Sequence, residues 1–298
     1  MKHYKTIGEL YKSNGFPPPE NPLMGILTFE ESEKCTFLES EFTMAFYTIA
    51  LTKLKSGTLQ YGRTKYDHEN GCLAFLKPHQ KITINNIETS EKGFLIHIHE
   101  DFFIDHNLYK EIKNYGYFDY EVTEALHLSP KEEDIVWDLF NKITSEYYNN
   151  QDEYSKDIVI THIDSILKYA QRFYKRQFLN RSVLSGTIIT KFTDVLKTYF
   201  EKGGFQKNGL PTVKYMAIQL ALSPKYLSDV LKQETGKTAL DHIHIALVME
   251  AKNILMSTDK TVAETAYQLG FENPPYFSRL FKKEVGQTPT EYREQFLA

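Results

Sequence analysis

Between Leu23 and His99 the apolar residues come in short runs: MGILTF, FTMAFYTIALTKL, TLQYGRTKY, GCLAFLKP, KITINNI and GFLIHIH. Gly, Pro, Asn or charged clusters separate them, a pattern that predicts a β-sandwich or β-barrel. Ahead of them a short helix is expected over residues 3–13. The run GFPPPENP at 15–22 reads as an extended or turning lead-in, since proline restricts the residue before it. After Asp101 the texture turns helical, with the longest periodic segments at 130–149 and 154–178. In the second, Val159, Ile163, Ile166, Ala170 and Phe173 step by four, three, four and three, a heptad-like seam. Two uses fit that seam: packing against its own β-rich domain, or contact with a second copy of the chain. Arg172, Lys175, Arg176 and Arg181 follow and read as a solvated face and linker. A boundary near 180–186, around NRSVLSG, gives domains of 1–180 and 181–298.

The C-terminal domain contains an internal repeat. In TVAETAYQLGFENPPYFSRLFKKEVGQTPTEYR (261–293), Thr261 and Glu264 have capping-box spacing, and Val262, Ala266 and Leu269 recur at helical period. Gly270 marks a turn. Asn273 and Pro274 suit the N-cap and first position of a second helix, whose apolar face is Phe277, Leu280 and Phe281. A small apolar helix bracing a second helix with exposed Arg and Lys is helix-turn-helix geometry. Upstream, VKYMAIQLALSPKYLSDVLKQETG (213–236) repeats it. Val213, Ala217, Gln219 and Leu220 precede Val262, Ala266, Gln268 and Leu269 by 49 residues. After the turn the offset is 50, pairing Pro224, Tyr226, Ser228, Lys232, Glu234, Gly236 and Thr238 with Pro274, Tyr276, Ser278, Lys282, Glu284, Gly286 and Thr288. Polar and turn residues repeat with the apolar ones, which amphipathicity alone does not require. A helix over 241–256 would connect the two modules, which could then enter successive major-groove segments roughly 34 Å apart on one face of a duplex.

The strings GFENPPYFSRLFKKEVGQTPTEYR and LALSPKYLSDVLKQETG resemble the DNA-binding domain of the AraC/XylS family of bacterial transcription regulators. With that tail, the β-rich region resembles the family's cupin-like sensor barrel, over residues 20–105. GCLAFLKPHQ and GFLIHIHEDFF stand where such proteins have a G-x-L-x-F-x-x-P-x-Q strand-turn and a strand ending in H-x-D-F. The implied fold is α+β and multidomain: a cupin-like β-barrel with trailing helices, then an all-α double helix-turn-helix. The implied partners are double-stranded DNA, a small-molecule effector, a second copy of the chain through helices after the barrel, and RNA polymerase where the regulator is an activator. Family positions put Lys225, Ser228 and Asp229 of the first module toward bases, and Pro275, Tyr276, Ser278 and Arg279 of the second. Lys and Arg can donate to guanine O6/N7, and Asp can accept from a cytosine amino group. Pro275 has no donor, so the second module reads fewer bases directly. Tyr226, Lys232, Lys282 and Lys283 are assigned to phosphates, which position the protein without specifying sequence.

Charge agrees with this division. Residues 181–298 hold 15 Lys and Arg against 12 Asp and Glu, a balance of +3, leaving −7 to residues 1–180 of the chain's −4. Two cysteines, Cys35 and Cys72, make no disulfide framework and suit a reducing cytoplasm. No stretch approaches the roughly 20 apolar residues of a membrane span, and MKHYKTIGEL lacks the apolar core of a signal peptide. Tyr47, Tyr61, Arg63, His68, His97 and His99 place polar groups among apolar ones, as an effector pocket requires. His97 and His99 also raise a second possibility, a metal-dependent cupin enzyme fused to a DNA-binding domain. A third is a DNA-binding protein with no ligand. No P-loop, G-x-S-x-G or zinc-spaced Cys/His set occurs, and no cofactor is expected.

Overall fold

A computed structural model describes residues 1–29, 40–52, 54–61, 64–65, 72–89, 93–120, 124–149, 152–184 and 188–297. The chain divides into two units, Met1–Gln177 and Phe178–Ala298. The division falls within one long helix that continues to Leu184, where the sequence suggested a linker.

The N-terminal unit opens with β1 (Lys2–Tyr4) and α1 (Ile7–Asn14). Thr6 and Glu9 form a reciprocal capping box on α1, and Gly15 ends it in the left-handed conformation that glycine adopts without penalty. Then come β2 (Met24–Phe29), β3 (Glu41–Met44), β4 (Tyr47–Thr52), β5 (Leu54–Tyr61), β6 (Thr64–Lys65), β7 (Cys72–Leu76), β8 (Ile82–Thr89) and β9 (Gly93–Ile98). After α2 (Leu108–Glu111), the short β10 (Leu126–His127) precedes α3 (Pro130–Tyr147) and α4 (Ser155–Leu184). The described strands make two five-stranded sheets, ordered β1-β3-β8-β5-β6 and β10-β7-β4-β9-β2. Only the β1–β3 pair is parallel among the described pairings.

Residues from both sheets meet in one apolar core. Tyr4, Ile7, Leu10 and Tyr11 pack there with Phe42, Met44 and Ile82 of the first sheet and Cys72 of the second. Strand β9 is buried on both faces. Phe94 stacks on Phe140 of α3, with ring centroids 3.9 Å apart, while His97 faces Tyr11 of α1. A strand covered on both sides reads as a continuous apolar run, as GFLIHIH does.

The α4 seam belongs to this unit. Val159, Ile163, Ile166, Ala170 and Phe173 are all buried within the chain, three of them completely. The expectation that they form a contact between copies is therefore corrected. The helix is held in place by its neighbours: Tyr117 Oη donates to the Leu167 carbonyl (2.9 Å), and the Tyr117 and Tyr174 rings stack. Arg176, expected on a solvated face, donates to Glu132 and to the His127 carbonyl, both at 2.7 Å.

The C-terminal unit contains α5 (Ile188–Glu201), α6 (Gly204–Asn208), α7 (Val213–Gln219), α8 (Pro224–Thr235), α9 (Ala239–Ser257), α10 (Val262–Gln268), α11 (Pro274–Val285) and α12 (Pro289–Leu297). Its core joins Met216, Leu227 and Leu231 to Ala266, Phe277 and Phe281 through Ile243, Leu247 and Ala251 of α9.

Candidate nucleic-acid interface

Two helix pairs, α7–α8 and α10–α11, are built from the same local chemistry. Ser223 accepts from the Tyr226 amide and Asn273 from the Tyr276 amide, each at 3.1 Å. Pro224 and Pro274 take the first helical turn, where a missing N–H leaves no bond unmade. Gly236 and Gly286 end the helices at φ 76° and 87°. The preceding turns also match: Leu222 donates to the Ala217 carbonyl (2.9 Å) and Phe271 to that of Ala266 (3.0 Å).

The repeat extends further than the sequence suggested. Thr238 and Asp241 cap α9 just as Thr288 and Glu291 bond reciprocally at the start of α12. The repeated unit is thus three helices, α7–α8–α9 and α10–α11–α12. The 19 residues of α9 make it about 28 Å long at 1.5 Å per residue. Arg293 ties α12 back to the end of α9, donating to the carbonyls of Leu255 (3.2 Å) and Lys260.

On α11, Pro275, Tyr276, Arg279, Lys282 and Lys283 are exposed and Ser278 is half-buried. Tyr276 leans on Phe271, and Lys283 sits 3.7 Å from Glu284. On α8, Lys225 and Lys232 are exposed, while Ser228 and Asp229 are half-buried. Lys225 Nζ donates to Asp229 Oδ1 at 3.0 Å, so two residues read from the sequence as separate base readers are partners. Their i,i+4 spacing was the available signal. Tyr226, expected at a phosphate, is fully buried with its ring edge-on to Phe178, 5.1 Å between centroids. It is a core residue, unlike Tyr276 at the matching position, which is 44% exposed.

Residues 216–295 match the family model described as a helix-turn-helix domain. The C-terminal unit is an AraC-type helix-turn-helix domain. The chain is 31% identical over 105 residues to the bifunctional transcriptional activator/DNA repair enzyme AdaA of Bacillus subtilis, covering 35% of this chain and 48% of that protein. It is 33% identical over 79 residues to the transcriptional activator RhaS of Klebsiella pneumoniae, covering 26% and 28% respectively. Among solved structures, the C-terminal domain of the response regulator yesN from Fusobacterium nucleatum is 30% identical, covering 34% of this chain and 96% of that one at a TM-score of 0.30. The chain spans under two thirds of the length of these curated relatives.

The effector candidates of the N-terminal unit do not converge among the described residues. Tyr47 is buried, edge-on to Phe118. His97 is buried, shares a 3.2 Å hydrogen bond with Tyr11 Oη and lies edge-on to Phe46. Burial pulls the His97 pKa down to about 3, so the ring is neutral. A ligand reaching either residue would have to displace these aromatic contacts. His99 accepts from the Asp101 amide and caps the 3-10 helix Glu100–Phe103. Arg63 and His68 lie outside the described residues, as does the Tyr61 side chain. So does Cys35, while Cys72 is buried with its sulfur 3.3 Å from His127 Nδ1. Among the described residues no cluster of three His, Cys, Asp or Glu is placed to hold a metal ion, and no helix is long and apolar enough to cross a membrane.

Proposed function

We propose that the protein is a cytoplasmic transcription regulator that binds a specific duplex site with both modules of its AraC-type domain. The observation that carries this reading is the repeated set of caps, which presents α8 and α11 with polar and cationic residues outward: Lys225, Ser228, Asp229 and Lys232 on one, Ser278, Arg279, Lys282 and Lys283 on the other. Arg279 is the main base reader and Lys232 and Lys282 are phosphate contacts. Among the described residues no carboxylate pairs with Arg279, so its guanidinium fork is available to guanine.

The N-terminal unit is, on this reading, the sensor. Two sheets sharing one apolar core support a cupin-like barrel, an architecture that closes two sheets over an interior. A small organic effector would shift the regulator between two states by its differential affinity for them. Pairing of copies, and contact with RNA polymerase in activation, complete the proposal.

Selection from a randomised duplex library with the full chain tests the reading. Enrichment of one sequence, bound far more tightly than unrelated duplex, is the expected result. Equal, weak binding to all duplexes would refute it.

A further inference from the structure

The two outward helices open differently. Pro224 alone starts α8 and Lys225 follows it, so this kind of cap needs no more than one proline. Helix α11 opens with two, Pro274 and Pro275, and the second is exposed. The next residue differs as well. The Tyr226 ring is fully buried, whereas Tyr276 is 44% exposed. Tyr276 is held in place all the same, because its ring leans on buried Phe271 with centroids 6.0 Å apart. Arg279 is exposed and has no ion-pair or hydrogen-bond partner among the described residues. Residues three and four positions apart are neighbours on a helix face, so Tyr276 and Pro275 both flank Arg279.

We propose that Pro275 and Tyr276 seat the C5-methyl group of a thymine beside the guanine that Arg279 reads. This rests on the reading of the C-terminal unit as a duplex binder. The N-terminal residues of a recognition helix meet base edges in the major groove. There thymine alone among the four bases presents a methyl group, and apolar side chains contact it. Pro275 has no N–H and no polar side-chain atom, so its ring offers methylene surface and nothing else. The Tyr276 ring adds a second apolar face. The Phe271 contact fixes that face before DNA arrives, so less side-chain freedom is lost on binding.

A guanine with a neighbouring thymine matches this surface: two acceptors for the guanidinium fork and one methyl for the apolar pair. Helix α8 has no equivalent, since Lys225 is charged and Tyr226 lies in the core. The second module therefore reads a base by apolar contact at the position where it lacks a donor. A Tyr276 hydroxyl placed on a phosphate would instead serve every duplex alike.

The test uses the full chain, a duplex selected from a randomised library, and anisotropy titrations. The base preference lost in Arg279→Ala marks the guanine, and a thymine should adjoin it in the selected sequence. Replacing that thymine by deoxyuridine removes the methyl alone and should weaken wild-type binding about fourfold, the effect of burying one carbon. With 5-methylcytosine paired to guanine in its place, wild type should bind more tightly than with plain cytosine, by a similar factor. Pro275→Ser combined with Tyr276→Ser should abolish both differences and keep the preference for the guanine. Three results would each overturn the proposal while the DNA-binding reading stands: no thymine beside that guanine, equal wild-type binding of the thymine and deoxyuridine duplexes, or a double variant that retains both differences. A wild type that enriches no duplex overturns both.

Discussion

Ala221 adopts, in the turn between α7 and α8, the left-handed backbone that Gly270 adopts between α10 and α11, with φ of 55° and 84°. The two residues are equivalent but their surroundings are not. A side chain at 270 would meet the backbone of Gly209, whose carbonyl carbon lies 2.9 Å from where a Cβ would stand. Ala221 is exposed. A left-handed alanine costs about 1–2 kcal/mol, partly offset by its lower unfolded-state entropy relative to glycine. Ala221→Gly should therefore stabilise the C-terminal unit by about 0.5–1 kcal/mol. Gly270→Ala adds strain and a clash, and should destabilise it by about 2 kcal/mol or more. Urea unfolding followed by helical circular dichroism reads both, and equal effects of opposite substitution at the two sites would contradict the difference in packing.

Arg279→Ala should weaken binding to the selected duplex by about 1–3 kcal/mol and relax one base position. Lys232→Ala should weaken all duplexes alike and flatten the salt slope by about one unit. Anisotropy titrations at several salt concentrations separate the two. A variant of Arg279 with unaltered affinity and base preference would remove α11 from the readers.

Burial lowers the His97 pKa from its ordinary 6.5 to about 3. The unfolded chain protonates at this ring first, so its contribution to stability is complete above pH 6.5 and is lost as pH falls toward 3. The loss is about 1.4 kcal/mol per pH unit within that window, or about 2 kcal/mol between pH 6.5 and pH 5. The single tryptophan, Trp137, lies edge-on to Phe94 and Phe140, so its fluorescence reports the N-terminal unit. Replacing the hydrogen-bonded pair together, as Tyr11→Phe with His97→Phe, should remove that share of the acid sensitivity. An identical pH slope in wild type and double variant would refute the assignment.

Ile163→Glu or Ile166→Glu should unfold the N-terminal unit rather than release folded single copies, because both side chains are fully buried within one chain. A charge at such a site has neither water nor partner, and a loss above about 4 kcal/mol is expected. Trp137 fluorescence during thermal unfolding measures it. A folded, stable Glu variant that sediments as a smaller species than wild type would return the seam to an interface between copies.

The parts legible in the sequence are those whose chemistry is local. Ser223, Asn273, Gly236 and Gly286 declare helix ends through bonds to residues three or four positions away, so the structure repeats what the string repeats. Burial is not local. The matched tyrosines 226 and 276 both stand two residues after the helix-opening proline and two before a serine, yet the Phe178 ring packs edge-on with the first and the second is 44% exposed. The α4 seam shows the same limit. A heptad of apolar residues records that a helix face is covered, and nothing in the string says by what. Tyr117 and Tyr174 settle it from a contact spanning more than fifty residues of chain. Lys225 and Asp229 were within reach of the sequence, since four residues separate them. Assigning each to a base hid the simpler fact that they are neighbours on one helix.

The doubled three-helix unit has unlike copies, and that gives the molecule a direction. A dimer of identical readers sees a palindrome and is indifferent to which way it runs. Here one chain carries a Lys–Asp pair at one end and, at the other, an arginine with no ion-pair partner among the described residues, joined by α9 in a fixed order. On the proposed duplex-binding reading, its site would have a left and a right, and the same base pairs turned end for end would form a different message. If the proposed regulator holds such a site beside a gene, the orientation of that site would be information in its own right.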